Sequence, residues 1–207
     1  MFRNVPSCAF VCLIVLTAAP RGSAAETTYD FQDPKGVNGV AFVMDSELEP
    51  IVGTIGGVAG EVAFDPDKPE AIHGAVSVDM AQTSFINPAM AKALAGADWL
   101  NIEGAFLATY TFKGVEVVEG ADGVGAAVRV KGTMAFGGAE VPLSTVLEAS
   151  HKPGGAEKRG GGKTGDLLLL RAAFEINRLE LGVKENAPAD KVGESISVIV
   201  PIAGYAK

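Results

Sequence analysis

Apolar and polar residues alternate with a period of two along most of the chain, and the places where that period fails mark its turns. Val40 to Met44 reads as a first strand with apolar residues on both faces. Ile51 to Ile55 follows as a short β-branched strand running into Gly56-Gly57, a composition that predicts a kink or bulge. Val58, Gly60, Val62 and Phe64 share one face, opposite Glu61 and Asp65. The run Asp65-Pro66-Asp67-Lys68-Pro69-Glu70 then stops the strand, because two prolines remove ladder donors and fix φ. Ile72, Gly74, Val76, Val78 and Met80 resume the alternation with one face in an apolar interior.

The period then changes. Asn87 suits a helix N-cap, Pro88 the first helical position and Gly96 the position past the end, while Met90, Ala93, Leu94 and Ala97 fall on one stripe. A helix of about two turns needs tertiary packing to persist, and Trp99-Leu100 is apolar enough to pin it. Strand pattern returns with Phe106, Ala108, Tyr110 and Phe112 on one face. It continues with Val128 to Phe136, a Gly137-Gly138 turn, and Val141, Leu143, Thr145 and Leu147 running back. Ser150 to Gly165 is glycine-rich and carries a local charge of +3, which predicts a long mobile loop. Leu167 to Asn177, a polar connection over 180–192, and Ile196 to Ile202 complete the pattern. About eight or nine strands and one small helix make an all-β antiparallel domain, either a sandwich or a closed barrel.

The N-terminus stands apart from this pattern. Arg3, an uncharged apolar run from Cys8 to Ala19, and Ser23-Ala24-Ala25 predict a secretory signal cleaved after Ala25, hence a periplasmic or secreted protein. Residues 26–207 are then one domain of about 182 residues, large enough to bury roughly 70% of its unfolded surface. Both cysteines lie in the predicted leader, and neither has the preceding residues of a lipoprotein site, so the mature chain has no thiol chemistry. Loss of Arg3 and Arg21 takes the net charge from −8 to −10. That acidity argues against nucleic acid and against docking on anionic lipid, and no further run is long enough for stable membrane insertion.

Candidate chemistry is sparse. There is no Gly-x-Ser-x-Gly elbow, and His73 and His151 both read as surface residues, the second within the glycine-rich loop. Two histidines without cysteine do not make a zinc site. Asp65-x-Asp67 lacks the glycine and closing glutamate of a calcium loop. Gly162-Lys163-Thr164 ends like a phosphate-binding loop, but Glu157 stands where that motif needs its first glycine, and strand pattern follows instead of helix. No cofactor is expected. The apolar faces remain, either as plain core or as the lining of a ligand cavity.

Seven segments in order resemble the YceI-like family of exported polyisoprenoid-binding proteins. They begin with Val52-Gly53-x-Ile55, Gly60-Glu61-Val62-Ala63-Phe64-Asp65-Pro66 and Val76-Ser77-Val78-Asp79. Leu94-x-x-Ala97-Asp98-Trp99-Leu100-Asn101 and Ala108-Thr109-Tyr110-Thr111-Phe112-Lys113 follow. Val130-Lys131-Gly132-Thr133-Met134 through Val141-Pro142-Leu143, and Phe174-Glu175-Ile176-Asn177-Arg178 with Leu181-Gly182-Val183, complete the order. The resemblance implies a lipocalin-like antiparallel β-barrel of about eight strands with a short helical segment covering it. It implies a non-enzymatic role, holding the long apolar chain of an isoprenoid, quinone or fatty amphiphile, and it leaves a homodimer open.

The expected tunnel residues are Phe42, Phe64, Val76, Val78, Leu94, Trp99, Phe106, Tyr110, Phe112, Met134, Phe136, Phe174 and Ile176. Leu94 and Trp99 are expected near the mouth, and the Tyr110 hydroxyl is available to orient a headgroup oxygen. The chain departs from the family pattern at Met90-Ala91-Lys92-Ala93, where relatives carry polar or charged residues, at Val37-Asn38, and in the longer, more basic loop over 150–165. Two other readings stand beside this one: a solidly packed barrel acting as an interaction module, and an enzyme acting on a bound lipid.

Overall fold

A computed structural model describes residues 26–96, 99, 106–120, 122, 124–183 and 187–207. The predicted leader, and Ala97, Asp98, Leu100 and Asn101 of the predicted cover, lie outside these residues. The alternation resolves into strand segments β1 (Thr27–Asp30), β2 (Val40–Met44), β3 (Ile51–Ile55), β4 (Ala59–Phe64), β5 (His73–Asp79) and β6 (Thr83–Phe85). A helix, α1 (Pro88–Leu94), precedes β7 (Leu107–Glu119), β8 (Gly125–Phe136) and β9 (Ala139–Lys152). A second short helix, α2 (Gly155–Arg159), leads to β10 (Leu167–Asn177) and β11 (Ser195–Ala206). In β9 the sequence pattern is read most directly. Val141, Leu143, Thr145, Leu147 and Ala149 are buried, while Glu140, Pro142, Ser144, Val146 and Glu148 face water.

Hydrogen bonds run in the order β1-β4-β5-β7-β8-β9-β10-β11 and return from β11 to β1, so the sheet is a closed antiparallel eight-stranded barrel. The other three segments continue staves already counted: β2 follows β1, β3 precedes β4, and β6 follows β5. Asp30 faces Tyr205 and Ala41 faces Ile199, so eleven steps along the first stave match six along β11. The surplus is a loop that turns Phe31 and Asn38 inward, and both are buried.

β7 runs well beyond the Phe112 at which its sequence alternation is lost. Register shifts between Phe112 and Gly114 and between Val115 and Val117 are β-bulges, each moving the inward face by one residue. Val115 and Val118 therefore pack on the same core as Phe112 despite their odd spacing. Gly60 and Gly74 have φ of 117° and 122°, and a Cβ on either would lie 2.3 Å or less from a carbonyl oxygen of the adjoining strand. These two positions let β4 and β5 curve tightly.

Three sequence expectations are corrected. The strand read as the first, Val40 to Met44, is preceded by β1, whose Tyr29 is buried between β4 and β11 while its other residues are partly covered. The segment over 150–165 is not a free loop. β9 extends to Lys152, α2 buries Ala156 completely, and Glu157 accepts the Gly165 amide at 3.1 Å. His151 likewise sits at the end of β9 rather than in a loop, its ring nitrogen 3.0 Å from Asp166 and its side chain largely covered.

One polar cluster joins α2 to the seam between first and last strands. The Arg159 guanidinium donates to Asp33 at 2.6 Å, to Asn38 Oδ1 at 3.0 Å and to the Tyr205 hydroxyl at 3.0 Å. Asn38 also takes the Ala203 amide at 3.0 Å and donates to the carbonyls of Ala203 and Phe31. Burial alone would push the Asp33 carboxyl up. The Lys35 amide, the Arg159 guanidinium and the Val37 amide outweigh that effect, holding it below the ordinary carboxylate range. A depressed carboxyl contributes stability that is present above its unfolded value, near pH 4, and is lost as pH falls through the lower folded value. Urea unfolding is therefore expected to show Asp33→Asn about 2 kcal/mol less stable than wild type at pH 7. The difference should close below about pH 4; a gap that persists unchanged into acid would show that the carboxylate charge is not what secures the seam.

Candidate functional site

The two ends of the barrel are filled differently. At one end Tyr29, Phe31, Val62, Phe64, Val128 and Leu168 are almost wholly buried and form a solid plug. Above it the walls separate around a cavity. Its empty volume is about 1170 Å³, counting the part open toward solvent.

Alternating residues of adjoining strands supply the wall. Ala108, Tyr110 and Phe112 come from β7, Val130, Met134 and Phe136 from β8, and Leu143, Thr145 and Leu147 from β9. Leu170, Ala172, Phe174 and Ile176 come from β10, with every second residue from Ile196 to Ile202 on β11. From Leu170 to Ile176 this wall runs about 20 Å along the strand. Small residues keep it hollow. Gly132 leaves room for the Tyr110 ring, since a Cβ there would meet the ring's Cζ at 2.5 Å, and Ala108 and Ala172 leave space where larger side chains would meet across the barrel.

No charged side chain lines this cavity among the described residues, and Tyr110 and Thr145 are its only hydroxyl-bearing members. The Tyr110 hydroxyl donates to the Leu143 carbonyl at 3.3 Å, and burial pushes its pKa up to about 12. The Thr145 hydroxyl donates to the Val146 carbonyl at 3.4 Å. Tyr110 and Phe112 meet edge to face at 5.1 Å.

Nine of the thirteen expected residues lie on this wall: Phe42, Val76, Val78, Tyr110, Phe112, Met134, Phe136, Phe174 and Ile176. The other four are placed elsewhere. Phe64 is fully buried in the plug, where β4 ends beneath the cavity. Leu94 is buried, and Trp99 packs half-buried, in a cluster with Val40, Phe42 and Ile51 that forms the seat of α1. Phe106 stacks edge to face on Phe136 at 4.9 Å without reaching the cavity. Sequence reading favoured aromatics and so passed over the aliphatic wall of β9 and β11, although its alternation was plain. Thr145 was visible within that alternation. Leu181 and Val183 carried no strand signal, because they reach the cavity from the irregular β10–β11 connection.

That connection is held from inside by Arg178, whose side chain is among the largest fully buried ones. Its guanidinium donates to the carbonyls of Gly193 at 2.9 Å, Val183 at 3.0 Å and Val192 at 3.3 Å. Its own carbonyl accepts the Val183 amide at 2.9 Å. The loop is thus wound around one cation, which presents Leu181 and Val183 to the cavity. Across the same end, α1 starts where the sequence places it, with Asn87 Oδ1 accepting the Ala89 amide at 2.9 Å. Of its residues only Leu94 is fully covered.

The sequence profile of the YceI-like domain matches residues 27–203. Among solved structures, BcnA from Burkholderia cenocepacia shares the fold with a TM-score of 0.60 at 17% identity, covering 80% of this chain and 95% of that one. A Campylobacter jejuni YCEI protein matches with a TM-score of 0.58 at 16% identity, covering 75% and 84%. A polyisoprenoid-binding domain from Saccharophagus degradans, implicated in plant cell wall breakdown, matches with a TM-score of 0.59 at 10% identity, covering 88% and 100%. No curated protein matches the chain in sequence.

Removing the Arg178 side chain would strand several buried carbonyls at once, each costing on the order of 1–3 kcal/mol. Arg178→Ala is expected to lose about 3 kcal/mol or more in chemical unfolding, and hydrogen-exchange protection should fall first in the β10–β11 connection. Undiminished protection there would mean the loop is held by something other than this side chain.

Proposed function

The chain belongs to the YceI-like family, and on that footing we propose that it is a non-enzymatic binding protein whose barrel encloses the hydrocarbon of a long-chain isoprenoid, quinone or fatty amphiphile. One observation carries this reading: an apolar cavity follows the strands down to a solid plug. Such a lining offers a chain of methylene and methyl groups what water does not. Each buried methylene contributes about 0.8 kcal/mol, so ten contribute about 8. That is about a micromolar dissociation constant before the costs of association. A chain of about twenty such groups contributes about 16 kcal/mol and keeps micromolar affinity after roughly 8 kcal/mol of association cost, without a charged anchor.

The relatives support the substrate class, since one neighbour is itself described as a polyisoprenoid-binding domain. A barrel packed solid as an interaction module is disfavoured by the cavity. An enzyme acting on the bound lipid is disfavoured by a wall whose only hydroxyls donate to main-chain carbonyls. Export by cleavage after Ala25 fits a carrier that works between membranes rather than within one. No helix among the described residues is long and apolar enough to cross a membrane.

Native mass spectrometry of the protein purified from cells is expected to show an added mass that organic extraction removes and that added prenol or quinone restores. Ala172→Trp, which fills the cavity from its middle, should lower lipid occupancy about tenfold or more while the melting temperature holds or rises. A wild-type protein that carries no lipid and takes up neither prenol nor quinone would overturn the reading.

A further inference from the structure

Two hydroxyls interrupt an otherwise apolar wall, and only β8 separates the strands that carry them. Tyr110 is the middle of the three cavity residues of β7, and Thr145 the middle of the three of β9. The strands between them bring them together. Tyr110 pairs with Met134 and its ring lies over Gly132, which pairs with Leu143, so the phenol reaches the Leu143 carbonyl. Thr145 is two residues further along β9, about 7 Å away on the same face. Neither hydroxyl is fully used. Their bonds of 3.3 and 3.4 Å are well beyond the 2.7–2.8 Å usual for O–H···O. Each keeps lone pairs and can turn its proton toward a better acceptor. Burial holds the phenol protonated at all ordinary pH, so it stays a neutral donor.

The second observation lies at the other end of the cavity. Among the described residues, the loops around its unplugged end carry exposed Asp45, Glu47, Glu49, Glu180, Asp190 and Glu194 against Lys92 and Lys191. An anionic head approaching there meets a field of its own sign, and once inside it meets no charged side chain among the described lining residues. Burying a charge without a partner costs several kcal/mol, whereas an alcohol, amide or quinone oxygen needs only one or two hydrogen bonds to be placated.

Building on the carrier reading, we propose that Tyr110 and Thr145 form an oxygen-binding subsite at mid-depth. It seats the uncharged head of an isoprenoid alcohol, quinone or fatty amide and discriminates against the phosphorylated or carboxylated counterpart. The head lies inward and the tail fills the remaining apolar wall toward the mouth.

The test is competition against bound diphenylhexatriene with geranylgeraniol, its monophosphate and a head-less isoprenoid hydrocarbon of matched length. Wild type, Tyr110→Phe, Thr145→Val, the double variant and Thr145→Ser are compared, each with its melting temperature. Wild type is expected to bind the prenol about a hundredfold more tightly than the monophosphate. The prenol-to-hydrocarbon preference should fall about tenfold in the double variant and be kept in Thr145→Ser. Prenol and monophosphate binding equally well would put the head at the mouth and overturn the subsite, as would a preference unchanged in the double variant. A variant that binds neither prenol nor hydrocarbon has lost its fold, and the Thr145→Ser comparison then decides. If wild type binds none of the three, the carrier reading itself falls, an outcome distinct from failure of the subsite alone.

Discussion

Closure of the barrel depends on a seam of very few hydrogen bonds. β1 meets β11 at only two register positions, Tyr29 with Ala206 and Asp30 with Tyr205, before the chain leaves the sheet and returns as β2. So short a ladder cannot by itself hold a sheet shut against its own twist. The polar cluster beside it completes the joint. Asn38 takes both the amide and the carbonyl of Ala203 as a strand would, and Arg159 ties α2 to Tyr205 and to Asp33 and Asn38, the last two more than a hundred residues away in sequence. Every inward-facing residue depends on that closure, because an open sheet would have no interior for them to share.

Within the closed ring, stability and function use opposite ends. Tyr29, Phe31 and Phe64 from the first two staves are almost wholly buried in the plug, while glycine and alanine at 132, 108 and 172 keep the upper half hollow. A hollow core forfeits dispersion contacts, and the plug, the seam and the Arg178-wound loop offset part of that cost. The mouth is asymmetric in the same sense. On one side a loop is fixed through a buried cation; on the other α1 rests on a single fully covered leucine.

The solved relatives share this architecture at 10–17% identity, which makes the fold common property and leaves the contents of the wall to each sequence. Here the wall is apolar apart from two hydroxyls, and the rim above it is acidic. Those features, rather than the fold, set this barrel's wall and rim apart chemically.

Much of the architecture is legible in the chain itself. Alternation assigns the faces of β8, β9, β10 and β11, Gly137-Gly138 marks a hairpin, and Asn87-Pro88 starts a helix where one is found. These are local facts, set by backbone sterics and by which neighbours share a side of a strand. β1 was obscured because its apolar positions are few, and the reach of β7 because two bulges put Val115 and Val118 out of step. α2 was hidden for a different reason: its short glycine-rich helix is held by Asp33 and Tyr205, partners distant in sequence. The cavity is the clearest case. A period of two says which residues face inward, but not whether they meet. Whether they meet depends on the number and tilt of strands in the ring and on the side chains that glycine and alanine leave out, and only the closed barrel decides that.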